Sequence, residues 1–306
     1  MRSPRPTTPC APDALALVLR GAAQVCAAMP AGLAESLAWV GGQIEWAARP
    51  GKRRQLAENL AHATSRSPRD PYVRRLVHRN ITTGARRATD VLWAFARPET
   101  ASGRVAITPP ELLAQLIADG RGAVLSSPHF GPFEAAAAVA RALPNGTELA
   151  AVTDEHGIGR ALHRIRTRMG LSVIDRDAPL HEVMRVLREG GIIVVLADLH
   201  EPGMRGHIVD FLDGRCILPG GPAAIARMGR APLVPFAVYR DGPRRWRLEL
   251  GAPIDPPALR GGRADEQRAT QELATAFSAV LRRMPEQWDA IDRIPWQDRS
   301  ASAPDL

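Results

Sequence analysis

Between residues 122 and 197 the chain alternates short apolar runs with longer helical segments, and that alternation admits few folds. The runs at 123–125, 149–152, 171–174 and 192–197 have the length of strands, and the stretches between them, 132–143, 156–169 and 180–188, read as helices. Strand, helix, strand at this spacing is the pattern of parallel crossovers. A short helix ending near residue 228 leads to a further strand at 233–238. A run at 246–250 is expected to return antiparallel to it, and a helix at 264–283 closes the pattern before Pro285. The expected fold class is α/β: a mostly parallel central sheet flanked by helices, with an N-terminal helical extension.

That extension is alanine- and leucine-rich. Pro30 and Gly32 separate two helical pieces, 14–29 and 33–48, a third helix starts near Arg53, and a long fourth spans about 71–96. The expected organisation is a disordered N-terminus (1–12), a helical extension (13–108), an α/β domain (109–296) and a disordered tail (297–306). In the second helix Leu33, Leu37, Val40, Ile44 and Ala47 recur at helical spacing, with Trp39 and Trp46 nearby. Such a face either lies in a lipid interface or packs on its own domain.

The first strand breaks at Ser126, and Pro132 opens the following helix. His129 therefore falls on a loop at the carboxyl end of a strand, where open α/β sheets bind ligands. Glu134 falls in the first turn beyond. A carboxylate that fixes one ring nitrogen leaves the other able to take a proton near neutral pH, so His129 is a candidate base and Glu134 its support. Asp198 follows another strand end. Asp198, His200 and Glu201 together with His129 could also be drawn as a metal site, although their spacing matches no metal motif. Arg164, Arg166 and Arg168 could hold phosphate. The backbone amides near Gly220 and Gly221, which precede a helix, could bind an anion or a developing oxyanion.

The net charge of +8 comes almost entirely from arginine, Lys52 being the one lysine. Such a surface favours phosphate-bearing partners: nucleic acid, anionic lipid headgroups or a nucleotide-linked cosubstrate. Aromatic residues make up only 5% of the chain and no stacking or zinc-finger motif occurs, which argues against nucleic acid. Three cysteines without metal spacing suit a reducing compartment. No secretory signal is evident, and Arg20, Gln24, Pro30 and Glu35 interrupt the best candidate for the roughly 18 apolar residues a membrane span requires.

Several stretches, in order, resemble one family. Arg54 to Leu60 is similar to its early Arg and Asn-Leu stretch, and Pro128-His129-Phe130-Gly131-Pro132-Phe133-Glu134 to its His, four residues, acidic motif. Val173-Ile174-Asp175-Arg176, Ala197-Asp198, Leu218-Pro219-Gly220-Gly221-Pro222 and Pro285-Glu286-Gln287-Trp288 follow at matching intervals. The chain thus resembles the lysophospholipid-acyltransferase-like enzymes, in the branch of lipid A late acyltransferases and phosphatidylinositol mannoside acyltransferases. The resemblance implies transfer of a fatty acyl chain from acyl-CoA or acyl carrier protein, as cosubstrate, to a hydroxyl of a glycolipid or lysolipid. It implies no other cofactor and no metal, a base at His129 oriented by Glu134, and no covalent enzyme intermediate. Arg164, Arg166, Arg168, Asp198, Gly220 and Gly221 would contact substrate, and the protein would sit peripherally on an anionic membrane surface at the cytoplasmic face of the plasma membrane. The rivals are a metal-dependent hydrolase using His129, Asp198 and His200, and a non-catalytic lipid-binding relative. The family's usual Gly-Asn-Trp-Glu is here Gly-Pro-Phe-Glu, which points to an acceptor of its own.

Overall fold

The computed structural model describes residues 14–153, 158–201, 203–256, 258, 261–289 and 294–297. Four long helices come first: α1 (Ala14–Ala28), α2 (Ala31–Ala48), α3 (Pro50–Thr64) and α4 (Pro71–Ala96). Asp70 caps α4 by accepting from the Tyr72 amide at 2.7 Å, and Pro71 fits the first helical position. Short α5 (Pro98–Ser102) leads to β1 (Val105–Thr108) and α6 (Pro110–Ala118). The crossover region then runs β2 (Ala123–Ser127), α7 (Phe133–Ala136), β3 (Leu149–Thr153), α8 (Ile158–Arg168), β4 (Ser172–Asp175), α9 (Leu180–Arg188) and β5 (Ile192–Leu196). A hairpin, β6 (Gly206–Phe211) and β7 (Gly214–Pro219), precedes α10 (Gly221–Gly229), β8 (Leu233–Gly242), β9 (Arg245–Leu250) and α11 (Gly262–Arg283).

Among the described residues the main sheet has the order β1-β9-β8-β2-β5-β3-β4. Strands β8, β2, β5, β3 and β4 run parallel, while β9 is antiparallel to β8 and β1 parallel to β9. The α/β class and the antiparallel return at β9 match the sequence reading. Successive strand side chains point to opposite faces, so the core forms in two layers. Val124, Ile193 and Ala237 face Leu56, Val73, Leu187 and Phe277 from α3, α4, α9 and α11. Leu125, Ile192 and Phe236 face Trp93, Leu116 and Val139 on the other side. The opening helices thus share the core of the sheet, and β1 joins the sheet ahead of the expected boundary at residue 109.

Two local features depart from the sequence reading, and a third decides between its alternatives. The expected helix at 132–143 is one α turn continued by a 3-10 segment, Ala137–Ala142. The β6–β7 hairpin lacks the glycine or asparagine that marks a two-residue turn. Leu212 takes the positive φ (54°) instead, with its amide donating to Ser278 Oγ at 2.9 Å and Arg282 donating to its carbonyl at 2.6 Å. The third concerns α2, which buries Ala34, Ala38 and Gly42 rather than its large side chains. A Cβ on Gly42 would lie 2.9 Å from the Thr82 Cα, so the small face lets α2 approach α4 closely. Leu33, Leu37, Val40 and Ile44 are consequently turned outward. The expected disordered N-terminus, 1–12, lies outside the described residues, as does the tail except for Gln297, whose amide donates to the Arg215 carbonyl.

One buried ionic cluster ties the extension to the sheet. Asp90 on α4 accepts from Arg240 Nε on β8 at 2.7 Å, from the Arg244 amide at 3.0 Å and from Trp246 Nε1 at 3.3 Å, while Arg240 also pairs with Glu35 on α2. Burial pushes the Asp90 carboxyl above its ordinary value, against the pull of Arg240 and the hydrogen bonds. Removing one member strands the others. Asp90→Ala is expected to lower unfolding free energy in a urea titration by about 3 kcal/mol, because it leaves a buried guanidinium half-compensated.

Candidate active site

The register of the sheet brings together two residues far apart in sequence. Ser127 at the end of β2 is paired with Leu196 at the end of β5, so two residues further on His129 and Asp198 face each other. The His129 Nδ1 lies 2.6 Å from Asp198 Oδ1, and the His129 amide donates to the same oxygen at 3.0 Å. Trp288 Nε1 donates to Asp198 Oδ2 at 2.9 Å. Asp198 is 1% exposed, so both oxygens are committed to protein donors. Because a carboxylate only accepts, the neutral imidazole carries its proton on Nδ1, which leaves Nε2 as the basic nitrogen.

Burial alone would raise the Asp198 pKa. The charge of His129 and the hydrogen bonds from its ring, from Trp288 and from the His129 amide outweigh that effect, and the carboxyl sits below its ordinary value.

The loop that carries His129 is clamped from the far end of the chain. The Gly131 amide donates to the Gln287 carbonyl at 2.8 Å and the Asp289 amide to the His129 carbonyl at 2.7 Å. Asn80 Nδ2 donates to the Trp288 carbonyl at 2.6 Å. Gly131 itself has φ of 60°, and a Cβ there would fall 1.7 Å from the Val238 carbonyl oxygen, so only glycine fits.

Glu134, expected to orient His129, is engaged elsewhere. Its carboxylate is gripped in bidentate fashion by Arg166, with Nε donating to Oε2 at 3.1 Å and Nη2 to Oε1. Arg166 Nη1 also donates to Thr153 Oγ1 at 2.9 Å. The Glu134–Arg166 pair therefore ties the turn after β2 to α8 beside the site. Asp198, expected among the substrate contacts, instead lies beneath the imidazole. Arg164 and Arg168 line a small hollow against Arg20 and Phe95, away from the site. Among the described residues no group of three or more His, Cys, Asp or Glu side chains is placed to hold a metal, and His200 Nε2 is directed to the Met204 carbonyl at 2.9 Å.

His129, Glu134 and Arg166 line a cavity of about 1390 Å³. On one face of the sheet its wall is apolar, with Leu125, Leu149, Ile192, Val194, Phe236 and Leu248 opposed by Phe133, Val139 and Leu143. Beyond His129 the wall turns polar, at the β6–β7 hairpin and the first turns of α10 and α11. Gly220 and Gly221 belong to this second part. The Gly220 amide is committed to the Arg205 carbonyl at 3.0 Å, whereas the amides of Gly221 and Ala223 are first-turn donors without intrahelical partners. The sequence reading gave no role to Trp288, Arg205, His207 or Arg227. The Pro-x-x-Trp element was the only signal for Trp288, and nothing local marked the other three.

Geometrically the arrangement is an imidazole held by a buried carboxylate at the junction of an apolar and a polar chamber, which is suited to proton transfer beside a long-chain ligand. The contribution of the buried carboxylate can be measured without a substrate. A carboxyl whose folded pKa is lowered stabilises the fold above its unfolded value, ordinarily 3.8, and that stabilisation disappears as the pH falls through the folded value. Trp288→Phe, which removes one donor to the anion, is expected to cost about 2 kcal/mol near neutral pH. In denaturation curves the deficit should narrow below about pH 4, as acid protonates Asp198 in both proteins.

Comparison with known proteins bears on the family. Residues 14–294 match the family described as bacterial lipid A biosynthesis acyltransferase. The phosphatidylinositol mannoside acyltransferase of Mycolicibacterium smegmatis (strain ATCC 700084 / mc(2)155) is 27% identical over 275 residues, which cover 86% of this chain and 86% of that protein. The chain belongs to the bacterial lipid A biosynthesis acyltransferase family and is an acyltransferase.

Proposed function

We propose that the protein transfers a fatty acyl group from a thioester, acyl-CoA or acyl carrier protein, to a hydroxyl of a glycolipid, with His129 as general base and Asp198 as its orienting anion. The observation that carries this reading is the 2.6 Å contact between His129 Nδ1 and the buried Asp198, at the mouth of an apolar chamber. His129 Nε2 takes the proton of the acceptor hydroxyl as its oxygen attacks the thioester carbonyl. Collapse of the tetrahedral adduct breaks the C–S bond, and the departing sulfur receives that proton from Nε2. The relative's name supports a mannosylated phosphoinositide as acceptor. The Phe133 ring, 5.7 Å from the imidazole and edge-on to it, supports an acceptor distinct from those of enzymes with tryptophan at that position.

We infer further that the protein docks on a membrane through α1 and α2. Leu15, Val18 and Val25 on α1, with Leu33, Leu37, Trp39, Val40 and Ile44 on α2, are exposed. An apolar face of this kind is stabilised by burial in a headgroup layer, and the excess of arginine favours anionic lipid. No helix among the described residues is long and apolar enough to cross a membrane, so the proposed attachment is peripheral. The free, buried Cys26 and Cys216 suit the reducing cytoplasmic side, where the acyl donors are found.

Two sets of variants test these readings. With palmitoyl-CoA and a mannosylated phosphoinositide, His129→Ala should lower kcat by about 10³-fold and Asp198→Asn by about 10²-fold, the range of a positioned general base. Glu134→Gln, which loosens Arg166 rather than the base, should cost about tenfold. Equal losses in Asp198→Asn and Glu134→Gln, or an active His129→Ala, would refute the assignment. Leu37→Glu with Ile44→Glu should reduce co-sedimentation with anionic liposomes at least about tenfold. Melting temperature should be unchanged, since both side chains are exposed. Undiminished sedimentation would refute the docking face.

A further inference from the structure

The polar end of the cavity has a composition that the proton-transfer step does not use. Arg205, Arg227 and Arg263 line it together with His207, Glu266 and the first residues of α10, Gly221 and Pro222. Arg227 Nε donates to Glu266 Oε1 at 2.7 Å. Among the described residues no carboxylate pairs with Arg205 or Arg263, and both are exposed at the rim. His207 is 6% exposed, yet its Nδ1 has no hydrogen-bond partner among the described residues, and its Nε2 lies 3.8 Å from Glu266. Burial lowers the His207 pKa, and Arg263 and Arg205 act in the same direction against the pull of Glu266. Two guanidinium groups with no carboxylate partner among the described residues, beside a helix N-terminus and a buried imidazole whose Nδ1 has no partner there, make an environment suited to an anion.

From this we propose that the polar end binds the phosphate of the acyl donor's carrier arm, through Arg205 and Arg263 at the rim and the amide of Gly221 at the start of α10. The inference rests on the acyltransferase reading above. A thioester donor is linear: apolar chain, then carbonyl, then a polar arm ending in a phosphate ester. The cavity lining follows the same order, with the apolar chamber on one side of His129 and the basic end on the other. A donor with its chain among Leu125, Ile192 and Phe236 and its carbonyl at His129 directs its arm toward α10. Arg164, Arg166 and Arg168, the arginines that the sequence suggested for phosphate, do not provide this. Two face the hollow against α1, and Arg166 is held by Glu134.

CoA and acyl carrier protein share this phosphopantetheine phosphate, so the test isolates it. The probes are two non-hydrolysable thioethers, S-hexadecyl-4′-phosphopantetheine and S-hexadecylpantetheine, identical except for the phosphate and titrated into the full-length protein by calorimetry. Wild type should bind the phosphorylated thioether at least about tenfold more tightly. Arg205→Glu with Arg263→Glu should erase that preference, whereas Arg164→Glu with Arg168→Glu should retain it. The proposal is overturned if wild type shows no preference, if the preference survives in the Arg205/Arg263 variant, or if it is lost in the Arg164/Arg168 variant. Competition by glycerophosphoinositol for the phosphorylated probe alone would also overturn it, because the site would then belong to the acceptor's phosphodiester. Failure here and failure of the functional reading are distinguishable. A wild type that transfers acyl groups but ignores the phosphate refutes this site alone, whereas absence of transfer from any thioester refutes the reading beneath it.

Discussion

A carboxylate buried to the degree of Asp198 is tolerable only if each of its oxygens is met by a donor, and the site is built from the elements that supply those donors. β5 delivers the carboxylate, the loop after β2 delivers an amide and an imidazole, and the segment after α11 delivers an indole. Since β2 and β5 are adjacent and in register, the pair His129–Asp198 follows from strand order alone. The same contacts select one tautomer of His129 and hold the ring in place before substrate arrives, which is the preorganisation that a general base requires.

Other parts of the molecule follow from that constraint. The Trp288 indole reaches Asp198 because the chain after α11 is fastened to the His129 loop by Gly131, Asp289 and Asn80, and Gly131 must be glycine for the strands to approach so closely. Through Asn80 the long helix α4 takes part in holding the site, and through Asp90 it is also locked to β8 and β9. The helical opening of the chain therefore supports the site, while α1 and α2 present their large apolar side chains outward. One helical layer serves the sheet on its inner side and leaves an apolar face on its outer side.

The alternation of strands and helices was readable because short continuous apolar runs and Pro or Gly breaks are local signals. The placement of His129 at a strand end followed from them. The partner of His129 was not readable, because sequence proximity favoured Glu134, five residues away, over Asp198, sixty-nine residues away. Only the strand order brings Asp198 near, and a bidentate arginine on α8 claims Glu134 first. The apolar stripe on α2 was visible as a stripe, but its direction depended on the small residues opposite it, which pack on α4 through Gly42. The β6–β7 hairpin was obscured by a leucine at its turn, held in a left-handed conformation by Ser278 and Arg282. Local patterns thus marked the elements, whereas side-chain partnerships across the sheet depended on register.

The central claim is that Asp198, and not Glu134, holds the imidazole of His129. The most direct measurement is the Nδ1 proton of His129, observed by NMR in protein labelled with nitrogen-15 at histidine. A proton shared with a buried carboxylate at 2.6 Å resonates far downfield and exchanges slowly. The account predicts that this signal is present in the wild type, persists in Glu134→Gln and disappears in Asp198→Asn. A signal that survives in Asp198→Asn, or that vanishes in Glu134→Gln from an otherwise folded protein, would contradict it.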